Sequence, residues 1–346
     1  MRSSLACIVP PDLLLELTRR GTEQQRHAAA DTLALDLSLR SLRAEAGRAP
    51  APVRGRLAEA AGGTPRRTIH DQAGSEDVHP GRVVRTEGGP PTGDPAADEA
   101  YDGLGATYRF YWEVLARDSI DDRGLPLAGL VHYGTDYDNA FWDGEGHMVF
   151  GDGDGHTFTR FTASLDVIGH ELTHGVTQDE AGLTYSGQSG ALNESLSDEF
   201  GVLVAQYAKG QTAEQADWLI GADVVGPDLA PALRSLKAPG TANRYDRQPA
   251  DMDAYVTTTT DNGGVHTNSG IPNHAFYVAA TTLGGPAWER AGRVWYDALR
   301  DPALRPGSGF RAFARATVRQ AQARFGTGSA EEQAVQAGWD AVKLTR

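Results

Sequence analysis

Two histidines and a glutamate, in the pentad HELTH (His170–His174), interrupt the run SLDVIGHELTHGV, whose other residues are those of a buried helix. On a helix, positions i and i+4 lie on one face, so the imidazoles of His170 and His174 point the same way, with Glu171 beside them. Two imidazoles converging inside an apolar helix make a metal-binding face, and the fold must bring further ligands to it. The plainer alternative is a satisfied histidine pair in a chain that holds 10 histidines.

The next segment favours the metal. A hydrolytic zinc site takes three protein ligands and keeps one position open. NESLSD (Asn193 to Asp198) supplies Glu194, 20 residues beyond His174, in a second helical pattern able to pack across from the first. The layout HExxHxxGxxH is excluded, because Thr177 and Glu180 stand where it needs Gly and His. Asp198 lies one turn after Glu194, placed to accept the spare ring N–H of a ligand histidine, His170 by preference, and so to fix its tautomer. Glu171, next to a ligand but off the metal, suits a general base acting on a zinc-polarised water.

Composition narrows the setting. A chain of 346 residues with 40% hydrophobic residues buries a large core and divides into two or three units. Its net charge of −14 argues against a nucleic-acid partner. Residues 1–68 carry eleven arginines against seven Asp or Glu, a net of +4, which leaves −18 for the remainder and sets the first segment apart. The single cysteine, Cys7, excludes an internal disulfide framework. Pro10, Pro11 and Asp12 interrupt the apolar run that a Sec-type signal needs, and no stretch is long enough to span a membrane.

Three segments follow from the patterning. Residues 11–46 show leucines at helical spacing, broken near Gly21, and GRAPAPVRGRLAEAAGGTPRR then reads as an exposed, cleavable linker, so residues 1–67 form a helical leader with its join. Residues 68–183 hold short strand-like runs (GRVVRTEG, LVHYG, HMVFGDGDG), one helix at DEAYDGLGATYRFYWEVLA, and the HELTH helix. Residues 184–346 carry at least three further helical patterns. Trp142 and Trp218 are expected in the core.

HELTH, NESLSD and DNGGVHTNSGIPN (Asp261 to Asn273) together resemble the thermolysin-like neutral zinc metalloproteases, over a stretch running from about Thr68 to the C-terminus. His, His and Glu are the ligand set of the catalytic zinc site in thermolysin itself. The resemblance implies an α+β, two-lobed fold: a β-rich N-terminal lobe, an α-helical C-terminal lobe and the zinc helix at the cleft, preceded by a short helical propeptide. It implies that His266, oriented by Asp261, and Tyr185 donate to the oxyanion. It implies that Asn139 and the Ala140 carbonyl hold the substrate main chain, and that Arg234 grips a substrate carbonyl. It implies that Phe158, Phe161, Val167, Ile220, Val224 and Leu233 line the pocket for the residue after the scissile bond, and their apolar character predicts a preference for Leu, Ile, Val or Phe.

Two features depart from the best-known members of that family. Of the carboxylates expected at its calcium pair, Asp166 and Asp217 persist, whereas Ala205 and Ala222 replace Glu, so at most one weak calcium site is expected. The leader is short and opens with CIVPPDLL, similar to the short-precursor, protealysin-like branch, which implies an inhibitory propeptide. Cys7 has two readings: a thiolate that fills the open zinc position, or a small buried residue beside Pro10 and Pro11.

The expected activity is that of a zinc metalloendopeptidase made as a self-inhibited zymogen. It acts on peptide or protein substrates, with one catalytic zinc ion and its own propeptide as intramolecular inhibitor, as a monomer with no nucleic-acid or membrane partner. A non-catalytic binding protein on this scaffold is disfavoured because Glu171, Tyr185 and His266 are all present. A zinc aminopeptidase is disfavoured because DNAFW stands where such enzymes carry an acidic amine-binding motif. Two destinations stay open: release from the cell by a route without a Sec-type signal, which family habit favours, and a cytoplasmic zymogen.

Overall fold

Proline and a reciprocal cap shape the N-terminal helices. The computed structural model describes residues 6–46 (41–46 by backbone alone) and 62–344. After strand β1 (Ala6–Cys7), helix α1 (Pro11–Arg20) starts at a proline whose missing N–H costs nothing in the first turn, and ends where Gly21 N–H bonds the Leu17 carbonyl. Helix α2 (Glu23–Ala46) is restarted by a capping box, in which Gln25 N–H donates to Thr22 Oγ1 at 3.3 Å and Thr22 N–H donates to Gln25 Oε1 at 2.9 Å. The linker predicted at 47–67 lies outside the described residues as far as residue 61.

The rest of the first compact unit, Met1–Ala163, is a mixed sheet with one long helix. It comprises β2 (Arg67–Asp71), β3 (Arg82–Thr86), α3 (Pro95–Leu115), β4 (Leu127–Val131), β5 (Ala140–Trp142) and β6 (His147–Phe150), in the order β1-β5-β6-β4-β2-β3. The pairs β2/β4 and β4/β6 are parallel, and the other three are antiparallel. Helix α3, capped by Asp94 accepting from Ala96 N–H at 3.0 Å, packs on β2 and β4. His132, at φ +56°, sits between Asp94 and Asp152, 2.7 Å from each; these carboxylates lift its pKa to about 9 against the cost of burial.

The N-terminal segment is part of this unit, not a separate body. Strand β1 adds to β5 in antiparallel register, with Ala6 opposite Trp142 and Cys7 opposite Phe141. Helix α2 turns Ala28, Ala29, Thr32, Asp36 and Leu39 inward. Cys7 packs with Leu39, Leu130, Tyr133, Tyr137, Phe141 and Val149 in one apolar cluster. Buried Asp36 accepts from Tyr137 Oη at 2.6 Å and from Asn139 Nδ2 at 3.0 Å, and Thr32 Oγ1 accepts from Asp138 N–H at 3.0 Å.

The second unit, Ser164–Arg346, is helical. It contains α4 (Leu165–Glu180), α5 (Gly187–Lys209), the small pair β7 (Leu219–Ile220) and β8 (Arg234–Ser235), α6 (Asp261–Asn268), α7 (Gly270–Leu283), α8 (Ala291–Leu299), α9 (Phe310–Phe325) and α10 (Ala330–Ala341). Trp218, Phe276, Trp295, Phe313 and Trp339 form a run of ring contacts through its core, and Trp142 is likewise buried in the first unit. Helix α4 packs along α5, so the second compact unit, which begins at Ser164, takes in the HELTH helix that the sequence reading grouped with residues 68–183. No helix among the described residues is long and apolar enough to cross a membrane.

Replacing Asp36 by Ala leaves the Tyr137 hydroxyl and the Asn139 amide buried without their acceptor. This lowers the unfolding free energy of the full chain by about 2–4 kcal/mol, read by denaturant titration. A double-mutant cycle with Tyr137→Phe recovers part of the loss if the hydroxyl bond is its source.

Candidate metal centre

Two helices meet backbone to backbone at the site. A Cβ on Gly169 would lie 3.1 Å from Gly201 Cα, and one on Gly201 would lie 2.4 Å from the Asp166 carbonyl oxygen, so glycine at both positions lets α4 and α5 approach. That approach carries His170 and His174 on α4 up to Glu194 on α5. One donor atom from each lies within 4.8 Å of the others, and all three residues are buried. Among the described residues this is the one group of three or more His, Cys, Asp or Glu close enough to share a metal ion; Cys7, Asp166 and Asp217 do not belong to it.

The hydrogen bonds around the histidines determine what fits between them. His170 Nδ1 lies 2.9 Å from Asp198 Oδ1, and His174 Nδ1 lies 2.8 Å from Asn193 Oδ1, with Ser197 Oγ 3.0 Å away. Both Nδ1 atoms therefore carry the ring proton, and both Nε2 atoms present lone pairs. Those lone pairs face each other at 2.9 Å, with Glu194 oxygens 3.6 and 3.5 Å away. A cation satisfies all three donors at once, whereas no single proton does. Burial lowers the His174 pKa to about 4, which keeps the imidazole neutral, as a metal ligand must be. Although burial opposes it, Glu194 is held ionised, His266 being the leading cause. Imidazole, imidazole and carboxylate are a donor set that suits zinc.

Glu171 is wholly buried on α4, next to His170 in sequence. Tyr185 donates its hydroxyl to Glu194 Oε1 and lies 3.3 Å from His266 Nε2, which is itself 3.4 Å from Glu194 Oε2. The DNGG stretch holds His266 in place. Residues 261–264 all adopt positive φ, between 48° and 88°, a left-handed turn that Asn and Gly tolerate. The turn brings the Asp261 carboxylate back to His266, whose Nδ1 lies 2.7 Å from Oδ1 and whose backbone N–H donates to Oδ2 at 2.8 Å. Burial would lower the His266 pKa, but Asp261 and Glu194 raise it to about 9, so its Nε2 is a donor.

Asp198 is buried and held well below the ordinary carboxylate range by Arg234 and His170. Arg234 donates to it through Nε at 2.9 Å and Nη2 at 2.7 Å, and Asn273 Nδ2 donates at 2.9 Å. Expected to grip a substrate carbonyl, Arg234 is thus also the counter-charge of the residue that orients His170. Sequence reading missed Asn193 and Asn273. Asn193 opens the same NESLSD segment and was within reach; Asn273 lies 75 residues from its partner, and nothing local signals it.

In the first unit, Asn139 and Ala140 are engaged by the N-terminal segment. Val9 N–H donates to Asn139 Oδ1 at 2.9 Å, and Ile8 N–H donates to the Ala140 carbonyl at 3.1 Å. Phe158 and Phe161 are buried with ring centroids 5.5 Å apart. In the second unit, Val167, Ile220, Val224 and Leu233 are buried. Asp166, its pKa pushed up to about 6 by burial, accepts from Gly221 N–H at 2.9 Å and Ser164 Oγ at 3.1 Å; exposed Asp217 accepts from Leu219 N–H at 3.1 Å. Cys7 fills the apolar cluster described above.

Residues 70–178 match the family model of the thermolysin metallopeptidase catalytic domain, and residues 181–344 match that of the thermolysin metallopeptidase alpha-helical domain. The chain is 50% identical over 349 residues to an extracellular metalloprotease of Pectobacterium carotovorum subsp. carotovorum, covering 99% of this chain and 97% of that protein. It is 50% identical over 269 residues to protease PrtS of Photorhabdus sp. (strain Az29), covering 75% of this chain and 71% of that protein. Among solved structures, the precursor of protealysin, a metalloproteinase from Serratia proteamaculans, is similar with a TM-score of 0.88 and 48% identity, over 98% of this chain and 100% of that one.

Asp198→Ala removes the acceptor of His170 Nδ1 and strands Arg234 in the interior. Zinc affinity falls about 10–100-fold in competition with a chelator, and the chain loses about 3–5 kcal/mol of stability in thermal unfolding.

Proposed function

Because the chain belongs to the thermolysin family of zinc metallopeptidases, in its protealysin-like branch, we propose that this zinc metalloendopeptidase is made as a self-inhibited zymogen that cuts peptide bonds ahead of bulky apolar residues, with Glu171 as general base. The observation that carries the reading is the convergence of His170, His174 and Glu194 beneath two donors, Tyr185 and His266.

His170, His174 and Glu194 hold the metal. When bound, zinc supplies Lewis acidity at the scissile carbonyl and lowers the pKa of an attacking water to about 7. Glu171 takes the proton of that water through a carboxylate oxygen and returns it to the leaving amine. His266 Nε2 and Tyr185 Oη donate to the oxyanion as it develops, and Asp261 keeps His266 protonated and aimed. Asn139 and the Ala140 carbonyl pair with the substrate main chain as an added strand, and Arg234 grips a substrate carbonyl while remaining bound to Asp198. A preference for Leu, Ile, Val or Phe after the cut follows from the apolar character of Phe158, Phe161, Val167, Ile220, Val224 and Leu233.

Self-inhibition follows from what Ile8 and Val9 already bond. Both groups assigned to the substrate main chain are taken by the N-terminal segment, so substrate must displace β1. Cleavage between residues 47 and 68 frees it. The Pectobacterium relative is named an extracellular metalloprotease, which supports action outside the cell. Asp166 and Asp217 together support at most one weak calcium site.

An internally quenched peptide tests this. With Leu or Phe after the cut site, full-length protein cleaves after a lag as the leader is lost, a chelator stops it, and Gly at that position lowers kcat/KM about 10–100-fold. Glu171→Gln keeps zinc but lowers kcat by about 10²–10⁴, and Tyr185→Phe or His266→Ala lowers kcat by about 10²–10³ with KM little changed. Zinc-loaded, leader-free protein that cuts no peptide would overturn the assignment of Glu171 and His266.

A further inference from the structure

Behind Asp198, on the side away from His170, lies a buried row of polar groups that no step of the proposed mechanism uses. Asn273 on α7 spans the gap between two residues of α5. Its Nδ2 lies 2.9 Å from Asp198 Oδ2, and its Oδ1 lies 2.7 Å from Ser195 Oγ. Ser195 Oγ in turn lies 3.0 Å from Glu199 Oε1. All four residues are at most 1% exposed.

The directions of these bonds follow from counting protons. Asp198 is an ionised carboxylate held by Arg234, so it only accepts, and the nitrogen end of the Asn273 amide must face it. Asn273 Oδ1 then faces Ser195, and the single hydroxyl proton of Ser195 must go to it. That leaves Ser195 Oγ with lone pairs towards Glu199 and nothing to donate. Two bare oxygens 3.0 Å apart in a dry interior repel, unless Glu199 carries the missing proton.

We propose that Glu199 is a neutral carboxylic acid heading a one-way chain of hydrogen bonds, Glu199 to Ser195 to Asn273 to Asp198, which fixes the carboxylate that orients His170. Glu199 is a positioning residue: it acts on the metal ligand only through three intermediates. Burial, together with the adjacent Asp198 charge, pushes its pKa well above the ordinary range. The side chains that act on it are Ser195 and Asp198 on its own helix and Trp295 on α8, and none of these brings a positive charge.

Glu199→Gln and Glu199→Ala separate donation from bulk. The glutamine amide still donates to Ser195, so Glu199→Gln keeps zinc affinity and kcat within about twofold, whereas Glu199→Ala and Asn273→Ala each lower zinc affinity about tenfold in chelator competition on the full chain. Two readouts are independent of the metal. The infrared spectrum of the wild type minus that of Glu199→Gln contains the C=O band of a protonated carboxylic acid at neutral pH. The second is linkage: above the ordinary carboxylate range the unfolded chain has lost the Glu199 proton while the native chain keeps it, so stability falls as pH rises. Glu199→Gln lacks that slope, and its Tm advantage over the wild type grows with pH. Loss of zinc affinity by Glu199→Gln equal to that of Glu199→Ala, absence of the band, or a Tm difference flat with pH would each overturn the proposal. The inference rests on His170 as a metal ligand only for the affinity readout; the band and the slope stand or fall without it.

Discussion

The rest of the metal centre depends on one buried negative charge. Asp198 has no access to water, and an ionised carboxylate in that position is tolerable only because donors surround it: Arg234 twice, Asn273 once and His170 once. Each donor comes from a different element, β8, α7 and α4, while Asp198 itself is on α5. Desolvation therefore does the positioning. Any displacement of one of these elements leaves a charge short of a partner, so the ionised group works as a pin through four pieces of chain. The tautomer of His170, and with it the direction of the Nε2 lone pair, follows from that pin.

Around the pin, charge is distributed so that each imidazole has a different task. Asn193 offers His174 a neutral carbonyl, and burial keeps that ring uncharged; Asp261 offers His266 a full carboxylate and keeps that ring charged. A neutral ring and a charged one thus both face Glu194, set apart by the group behind each. The left-handed DNGG turn is the backbone cost of the second arrangement, at a place where strain is expected to serve a site.

What the sequence made legible was local. Leucine spacing gave α1 and α2 with the break at Gly21, the HELTH and NESLSD periodicities gave the two ligand helices, and the one-turn step from Glu194 to Asp198 gave the orienting bond. Contacts between distant residues were not legible. Asp36 to Asn139 spans 103 positions, and Ser195 to Asn273 spans 78; neither pair shows in a pattern with a period of two or four residues. The packing of HELTH was hidden for the same reason: it follows a β-rich stretch in sequence, but its packing partner α5 comes after it. Glu199 shows the limit from the other side, since a glutamate on a helix ordinarily reads as solvated, and only its burial reveals otherwise.

The six-stranded sheet ends on one side in a strand of just two residues, β1, laid over Ala140–Trp142. Every residue of that covered strand is buried, so what β1 conceals is apolar and includes main-chain groups left unpaired once exposed. Such an edge does not distinguish a peptide from a neighbouring copy of the same protein. Removing the N-terminal segment would therefore change colloidal behaviour along with access: the shortened molecule carries an adhesive seam that its precursor does not, and it is the form whose solubility depends on how dilute it is kept.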